Sequence, residues 1–150
     1  MSFRIRVLLA LLCALAAVSL TLGFAAAVGW PLWQADGVPL CTFSYHQQDP
    51  QIVSDGSGGA IVTWEDLRFG GDWDIYAQRV DSNGNTLWVT DGVSLCVDSN
   101  DQVNPRIAPD GYWGAIVTWR DERGSDRDIY AQRVGGVAEV DLPLVAKNYQ

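Results

Sequence analysis

The sequence is poor in the residues from which most catalytic and metal centres are built. It contains one histidine, His46, and three cysteines, of which Cys13 falls in the N-terminal leader described below. One histidine and two cysteines that are far apart in sequence do not make a common zinc site. A Ser-His-Asp triad would have to use His46, which lies in a polar stretch. Zinc-dependent and serine-type catalysis are therefore disfavoured.

Positive charge is also scarce. Ten Lys and Arg residues stand against 18 Asp and Glu residues, which gives a net charge of −8, and removal of Arg4 and Arg6 with the leader lowers it to about −10. So acidic a surface repels nucleic acid and anionic membranes, and neither is an expected partner. Helix-period patterning is absent after the leader. The regular placement of Trp, Ile, Val and Tyr argues against disorder.

The N-terminus has the pattern of a signal peptide at 1–27. Arg4 and Arg6 precede an apolar run at 7–22, and three alanines at 25–27 supply the small residues that a signal peptidase needs. A membrane anchor is the alternative, but the run is near the short end for a span of about 20 residues. We expect cleavage near Val28 and a secreted or cell-surface protein.

The rest of the chain contains two copies of one repeat of about 55 residues. DGVPLC at 36–41 recurs as DGVSLC at 91–96, and GAIVTW at 59–64 recurs at 114–119. DIYAQRV at 74–80 returns at 128–134 after a one-residue deletion. The predicted organisation is a first repeat with a preceding closing strand, a second repeat and a C-terminal tail, at 28–90, 91–136 and 137–150.

Each repeat has the pattern of short strands separated by tight turns, because β-branched and aromatic runs are bounded by Gly, Asp and Asn clusters. In the first repeat we predict strands at 51–54, 60–65, 74–80 and 86–90. The AIVTW strand is apolar on both faces apart from its threonine, which is typical of a strand buried between two sheets.

The motifs DGxGGAIVTWxDxR, DIYAQRV and LW…DGVxLC resemble a family of exported bacterial tandem-repeat proteins that are β-propeller-like. The resemblance covers 33–134 and implies that each repeat forms a blade. Propellers need about four blades or more, and two are present here. We therefore predict an all-β fold of two propeller-blade-like antiparallel sheets of about four strands each, either sandwich-like or part of a propeller assembled from several chains.

The order of the strands makes a further prediction. The chain opens with the last strand of a blade, at 32–41, and the second repeat contains only three strands. We expect 32–41 to complete the second sheet beside 128–134, because that sheet would otherwise present an open edge. Exchange of this strand between chains would instead produce a homo-oligomer.

Cys41 and Cys96 occupy the same place in the two repeats. An oxidising compartment permits a disulfide. Equivalent positions of neighbouring blades usually lie farther apart than the Cα limit of about 7 Å for a bridge. Two separate buried thiols are the favoured interpretation.

The best candidates for catalysis are the charged residues that recur after the Trp strands, namely Glu65, Asp66, Arg68, Asp121, Glu122 and Arg123. Among them the repeated carboxylates Asp66 and Asp121 stand out, although they are weak candidates. A pair of carboxylates is what a glycoside hydrolase uses as acid and base or nucleophile. Residues present in every repeat usually serve the fold, however, so we expect these two to pair with Arg79 and Arg133 or to cap loop amides.

No cofactor is expected, and calcium is the one that stays open. Asp81, Asn83 and Asn85 place oxygen atoms at alternate positions, and a similar set lies at 98–101. The glycine and the distant bidentate glutamate of a helix-loop-helix calcium loop are lacking, so Asx-rich turns are the alternative interpretation.

Trp73 and Trp113 lie beside glycines in loops and do not recur in the other repeat. Loop aromatics of this kind suit a sugar ring or a partner's surface, although we favour a role in covering an exposed sheet edge. The favoured function is a non-enzymatic module that binds a carbohydrate or an extracellular protein. An extracellular glycoside hydrolase and a shortened repeat protein with no ligand of its own are the alternatives.

Overall fold

The computed structural model describes residues 29–135 and consists of β-strands, turns and loops within that range. The predicted signal peptide, Gly136 and the predicted C-terminal tail lie outside this range, and Gly135 ends the last strand. No helix in 29–135 is long and apolar enough to cross a membrane. Seven strands are formed, all within a compact unit that begins at Leu32: β1 (Gln47–Ser54), β2 (Ala60–Asp66), β3 (Asp74–Val80), β4 (Val93–Cys96), β5 (Gln102–Pro109), β6 (Gly114–Asp121) and β7 (Asp128–Gly135).

The strands form two antiparallel sheets. The first sheet has the order β1-β2-β3-β4 and the second has the order β5-β6-β7. Both begin with the same hairpin, in which the first strand carries a bulge before the repeated proline. The prediction of an all-β fold of two antiparallel sheets is confirmed, with four and three strands.

The fourth strand of the first sheet lies later in the chain than the pattern predicted. Residues 86–90 form a turn and a single bridge between Val80 and Thr86, while Val93–Cys96 pairs with β3. The buried side chain of Gln78 explains the difference, because its amide accepts from Trp88 N and donates to Val89 O. Those backbone groups are thereby bonded to a side chain instead of to a strand.

The N-terminal segment 32–41 does not pair with β7, contrary to our prediction. It contains no strand and lies against the first sheet, where Leu40 and Cys41 pack on Val62 and Trp64. Trp33 Nε1 donates to Ser82 O at 2.9 Å. Segment 32–41 thus packs on the first sheet, which follows it in the chain. Its counterpart at 87–96 packs on the second sheet in the same way.

The two sheets pack face against face. Ile75 of β3 is fully buried against Val117 and Trp119 of β6, with Leu95 and Ile107 around them. At the edge of this core, Glu65 Oε1 accepts from the backbone N of Asn104 at 2.6 Å. The residues of the first sheet that share the face of Ile75 are therefore covered by the second sheet.

The same seven residues, DIYAQRV, have opposite environments in the two repeats. In β3 they are buried almost throughout, whereas in β7 six are exposed and one is half-buried. Ile75 is 0% exposed and its counterpart Ile129 is 77% exposed. β3 has β4 at its edge and the second sheet on its face, and within 29–135 β7 has neither.

Candidate functional site

Asp66 lies at the end of β2 and is held by a closed set of donors. Arg68 donates to both carboxylate oxygens through Nε and Nη2, at 3.0 and 2.8 Å, and through its backbone N at 2.9 Å. Trp64 Nε1 donates at 2.8 Å. Burial opposes ionisation of Asp66, but the hydrogen bonds from Arg68 and Trp64 outweigh it and hold the pKa below its usual value.

Asp121 repeats this arrangement at the end of β6. Arg123 donates to it from Nε at 2.8 Å, Nη2 at 2.6 Å and the backbone N at 3.0 Å, and Trp119 Nε1 donates at 2.9 Å. The Arg123 hydrogen bonds lower the pKa of Asp121 strongly. A carboxylate kept ionised and bonded on every side is suited to fixing a loop and not to transferring a proton.

The arginine partners differ from those we predicted. Asp66 and Asp121 cap loop amides as expected, but each pairs with the arginine two residues later and not with Arg79 or Arg133. Arg79 binds Asp55 at 2.7 Å, and Arg133 binds Asp110. The register explains this, because the β2–β3 hairpin aligns Ile61 with Arg79 beside the 55–59 turn, at the opposite end of the strand from Asp66.

Both cysteines are free thiols and are half-buried. Cys41 lies 3.7 Å from Asp66 Oδ2 and from Arg68 Nη2, and Cys96 lies 3.9 Å from Asp121 Oδ2. Burial raises the pKa of each thiol. These are separate packing residues, as we predicted, and they join the DGVxLC segment to the Asp–Arg pair of the sheet that follows.

The calcium candidates form a tight turn after β3. Asp81 Oδ1 accepts from the backbone N of Asn83 and Asn85, and Oδ2 accepts from Asn85 Nδ2. Those hydrogen bonds lower the pKa of Asp81. No group of three His, Cys, Asp or Glu side chains arranged for a metal is found in 29–135. Both carboxylate oxygens of Asp81 thus accept hydrogen bonds from within the turn.

The two candidate tryptophans lie at opposite ends of the strands. Trp73 is half-buried at the junction of the sheets, where its backbone N donates to Asp101 Oδ1 and its carbonyl accepts from Gln102 N. Trp113 is 49% exposed at the tip of the β5–β6 loop, with a φ of 64°. They do not belong to one site.

Trp113 borders a groove of about 330 Å³ between the equivalent hairpin loops of the two repeats. The two loops share a scaffold, in which Asp55 and Asp110 each accept two backbone N–H bonds from their own loop. Their tips differ, with Ser57-Gly58 in the first and Tyr112-Trp113 in the second. The groove is lined by Ser54, Asp55, Gly56, Pro109, Gly111, Trp113 and Gly114.

Sequence reasoning missed Asp74. The residue is 7% exposed, and within 29–135 no Lys, Arg or His forms a salt bridge with it. Burial, together with the charges of Asp66 and Asp72, raises its pKa to about 6. It borders a second groove with Asp72 and Asp98. The signal in the sequence was the acidic cluster at 72–74, but its burial depends on how the sheets pack.

No family model matches this chain, and no curated protein or solved structure is significantly similar to it. The geometry of the chain therefore carries the functional argument.

Proposed function

We propose that this protein is a secreted or cell-surface β-repeat module, without enzymatic activity, that binds a carbohydrate or an extracellular protein in the groove beside Trp113. The observation that carries the proposal is the difference between two loops on one scaffold. Binding residues commonly lie on loops held by a rigid framework. Here the framework is repeated and only one tip bears adjacent exposed aromatics, Tyr112 and Trp113.

The chemistry of the groove supports this choice. An indole face gives a flat apolar platform, and polar groups around it give orientation. Ser54 and Asp55, which line the groove, supply oxygen atoms, and Arg133 lies over Tyr112 at 5.9 Å from the ring centroid. Gly56 leaves the opposite wall open, since a Cβ there would lie 3.5 Å from Trp113 Cδ1.

The repeated carboxylates support a non-enzymatic role. Asp66 and Asp121 are each bonded to an arginine, an indole and a backbone N–H, which is an arrangement that serves the fold of each repeat. The resemblance of the motifs to exported tandem-repeat proteins agrees with a role outside the cell, as does the predicted signal peptide.

The test is ligand binding by matched variants. A glycan array and a pull-down from extracellular protein identify a ligand, and calorimetry then measures its affinity for wild type, Trp113→Ala and Trp73→Ala. We expect Trp113→Ala to weaken binding at least tenfold, because truncating a central hot-spot aromatic costs about 2 kcal/mol or more and tenfold corresponds to about 1.4 kcal/mol. Trp73→Ala should leave the affinity unchanged if the protein remains folded.

The enzyme alternative is tested on the same ligands. Turnover of a bound glycan that Asp66→Asn or Asp121→Asn abolishes, in a variant that keeps its circular dichroism, would refute the non-enzymatic role. Blank binding assays would refute the binding role. Loss of affinity in Trp73→Ala alone would move the site to the other end of the strands.

A further inference from the structure

The structure points to an assembly in which the exposed face and edge of the second sheet dock on the first sheet of a second copy of this chain; we propose that copies join head to tail through this contact. The proposal does not depend on the ligand-binding role. Its basis is that the chain already contains the same contact once, between its own two sheets.

The internal contact can be described as a side chain and the pocket that receives it. Ile75 on the first sheet is buried against Val117 and Trp119, with Leu95 and Cys96 beside them. The counterpart of Ile75 is Ile129, which is 77% exposed on β7. The second sheet therefore exposes an isoleucine, Ile129, for which residues 29–135 provide no pocket.

The first sheet presents the receiver. A pocket of about 190 Å³ is lined by Leu40, Cys41, Val62 and Trp64, together with Gln47, Gln48 and Pro50. The first four are the counterparts of the residues around Ile75. Ile52, the counterpart of Ile107, is 66% exposed on the same face of the first sheet. A second copy that brings Ile129 to this pocket would repeat the internal core.

The backbone edges are complementary as well. β4 pairs with β3, and Gln78 fixes the preceding turn through Trp88 N and Val89 O. The same sequence pattern at 32–41 has no strand pairing, and Gln132 is exposed on β7. In the assembly, 38–41 of one copy would lie along β7 of the next, and Gln132 would bond to the backbone at 33–34.

One departure between the repeats affects this edge. Pro39 stands where the second repeat has Ser94, the Cα partner of Tyr76. Proline has no N–H to donate, and it is tolerated in outer strands. We therefore expect the intermolecular ladder to be shorter than the internal one, with the isoleucine contact contributing most of the affinity.

Charges at the interface are also complementary. Glu65 meets the backbone turn at Asn104 in the internal contact. Their counterparts are Arg120 and Asp49, and both turn residues have a positive φ, 57° and 50°. Arg120 Nε is buried without a hydrogen-bond partner in the described residues, and Asp49 is exposed. A carboxylate-to-amide contact within the chain thus becomes an Arg–Asp pair between copies, in competition with the pair that Arg120 Nη2 makes with Glu122 at 3.1 Å.

Contacts of this kind are heterologous, so repeated addition either closes a ring or extends a fibre. Propellers have about four to eight blades. With two sheets per chain, a closed ring would contain two, three or four copies. Such a ring would provide the propeller closure that two sheets alone lack.

The first test is the mass of the exported, processed protein in solution. Light scattering after size-exclusion chromatography should give a multiple of the mass found under denaturing conditions. Ile129→Asp should give the monomer mass and remain folded, because this side chain is exposed in the monomer. The control Val97→Asp, at a residue 54% exposed in the linker between the sheets, should keep the wild-type mass.

A designed disulfide tests the strand pairing. Ala77 and Val93 are Cα partners, so Ala131 and Val38 of a neighbouring copy should be partners too. Antiparallel partners lie about 4.5–5.5 Å apart, within the range of a disulfide. Val38→Cys/Ala131→Cys should form a bridge, located by peptide mapping, in species of twice the monomer mass or more. Val38→Cys/Ser125→Cys should not.

A charge exchange tests the polar contact. Arg120→Glu and Asp49→Arg should each shift the equilibrium towards monomer, and the double variant should restore the assembly. Three results would each overturn the proposal. They are a wild type that is monomeric at about 100 μM, an unchanged mass in Ile129→Asp, and a 38–131 bridge that forms within a monomer. Protection of β7 amides in a monomeric wild type would show that another segment occupies the edge.

Discussion

Arg68 and Asp66 form a bidentate ion pair, with Nε and Nη2 at 3.0 and 2.8 Å from the two carboxylate oxygens. The pair is almost fully buried, with side-chain exposures of 8% and 0%. The guanidinium also lies over the ring of Tyr76, 3.5 Å from its centroid, and donates to Asp91 O at 2.8 Å. One arginine thus joins β2, β3 and the first residue of the second repeat.

Asp66→Asn should lower the free energy of unfolding by about 3 kcal/mol, because it leaves a buried guanidinium without its counter-charge. Asp121→Asn should cost less, since Arg123 is 28% exposed and water can solvate it. Urea denaturation followed by tryptophan fluorescence measures both. Asp126→Asn, at an exposed loop carboxylate, is the matched control and should have no effect. Equal costs for all three would contradict the structural role.

Acid should unfold the protein through these same carboxylates. Hydrogen bonds and arginine charges hold the pKa values of Asp55, Asp66, Asp110 and Asp121 below normal, despite the burial that opposes ionisation. Their stabilisation is therefore complete above the unfolded pKa of about 4 and is lost as pH falls through the folded values. Denaturation curves from pH 6 to pH 2 should show this fall, and a flat profile would contradict it.

Asp74 should have the opposite effect. Burial raises its pKa to about 6, so the folded state loses stability as pH rises from about 4 to 6. Asp74→Asn should stabilise the protein at pH 8 by at most about 3 kcal/mol, because one pKa unit corresponds to about 1.4 kcal/mol. At pH 3.5 it should match wild type. Asp126→Asn, at an exposed loop carboxylate that does not affect this pKa, is the control. A pH-independent gain in Asp74→Asn would refute this account.

Gly92 and Gly37 occupy the same place in the repeat but have different surroundings. Both have a left-handed φ, 88° and 96°, yet a Cβ at Gly92 would lie 2.6 Å from Trp64 Cη2, while one at Gly37 would meet nothing within 4 Å. In the monomeric Ile129→Asp background, Gly92→Ala should cost about 3 kcal/mol, since backbone strain and a steric clash add. Gly37→Ala should cost about 1 kcal/mol. Similar costs would show that the surroundings are equivalent.

Gly37→Ala should nevertheless weaken the proposed assembly. Ala77 O lies 2.8 Å from a Cβ placed at Gly92, and its counterpart between copies is Ala131 O. Sedimentation velocity should therefore show more monomer for Gly37→Ala than for wild type. An unchanged distribution would mean that Gly37 is not at an interface.

The thiol count reports both redox state and processing. After unfolding, the processed protein should have two free thiols per chain, those of Cys41 and Cys96. Cys13 should not be detected, because it is removed with the predicted signal peptide. In the folded protein both should react slowly with iodoacetamide at pH 7.5, because burial raises their pKa values. Mass spectrometry counts the labels. Three thiols would show a retained leader, and none would show a disulfide.

The hairpins were predictable from sequence because alternation and glycine turns are local signals. The position of β4 was not, since it depends on the buried amide of Gln78, which bonds the backbone at 88–89. The segment 32–41 was matched to 87–96 by sequence, but it was wrongly predicted to be a strand beside β7. Sequence identity between 32–41 and 87–96 indicates which contacts the segment 32–41 can make. Only the fold shows that Leu40 and Cys41 make these contacts with the first sheet.

The ligand groove was partly predictable. Trp113 was a candidate because it interrupts the repeat, and the structure places it beside the equivalent loop of the other repeat. Trp73 had the same signal in sequence but lies half-buried at the junction of the sheets. A non-repeated aromatic identifies a difference between the repeats, and packing decides whether that difference is exposed.

The contrast between Ile75 and Ile129 also has a consequence for how such chains can change in length. Because each repeat carries both the inserting isoleucine and the residues that receive it, an in-frame duplication of about 55 codons would add a sheet whose two new surfaces already fit its neighbours. The terminal surfaces would stay the same whatever the number of units. Longer and shorter versions of this gene could therefore arise without any compensating substitution.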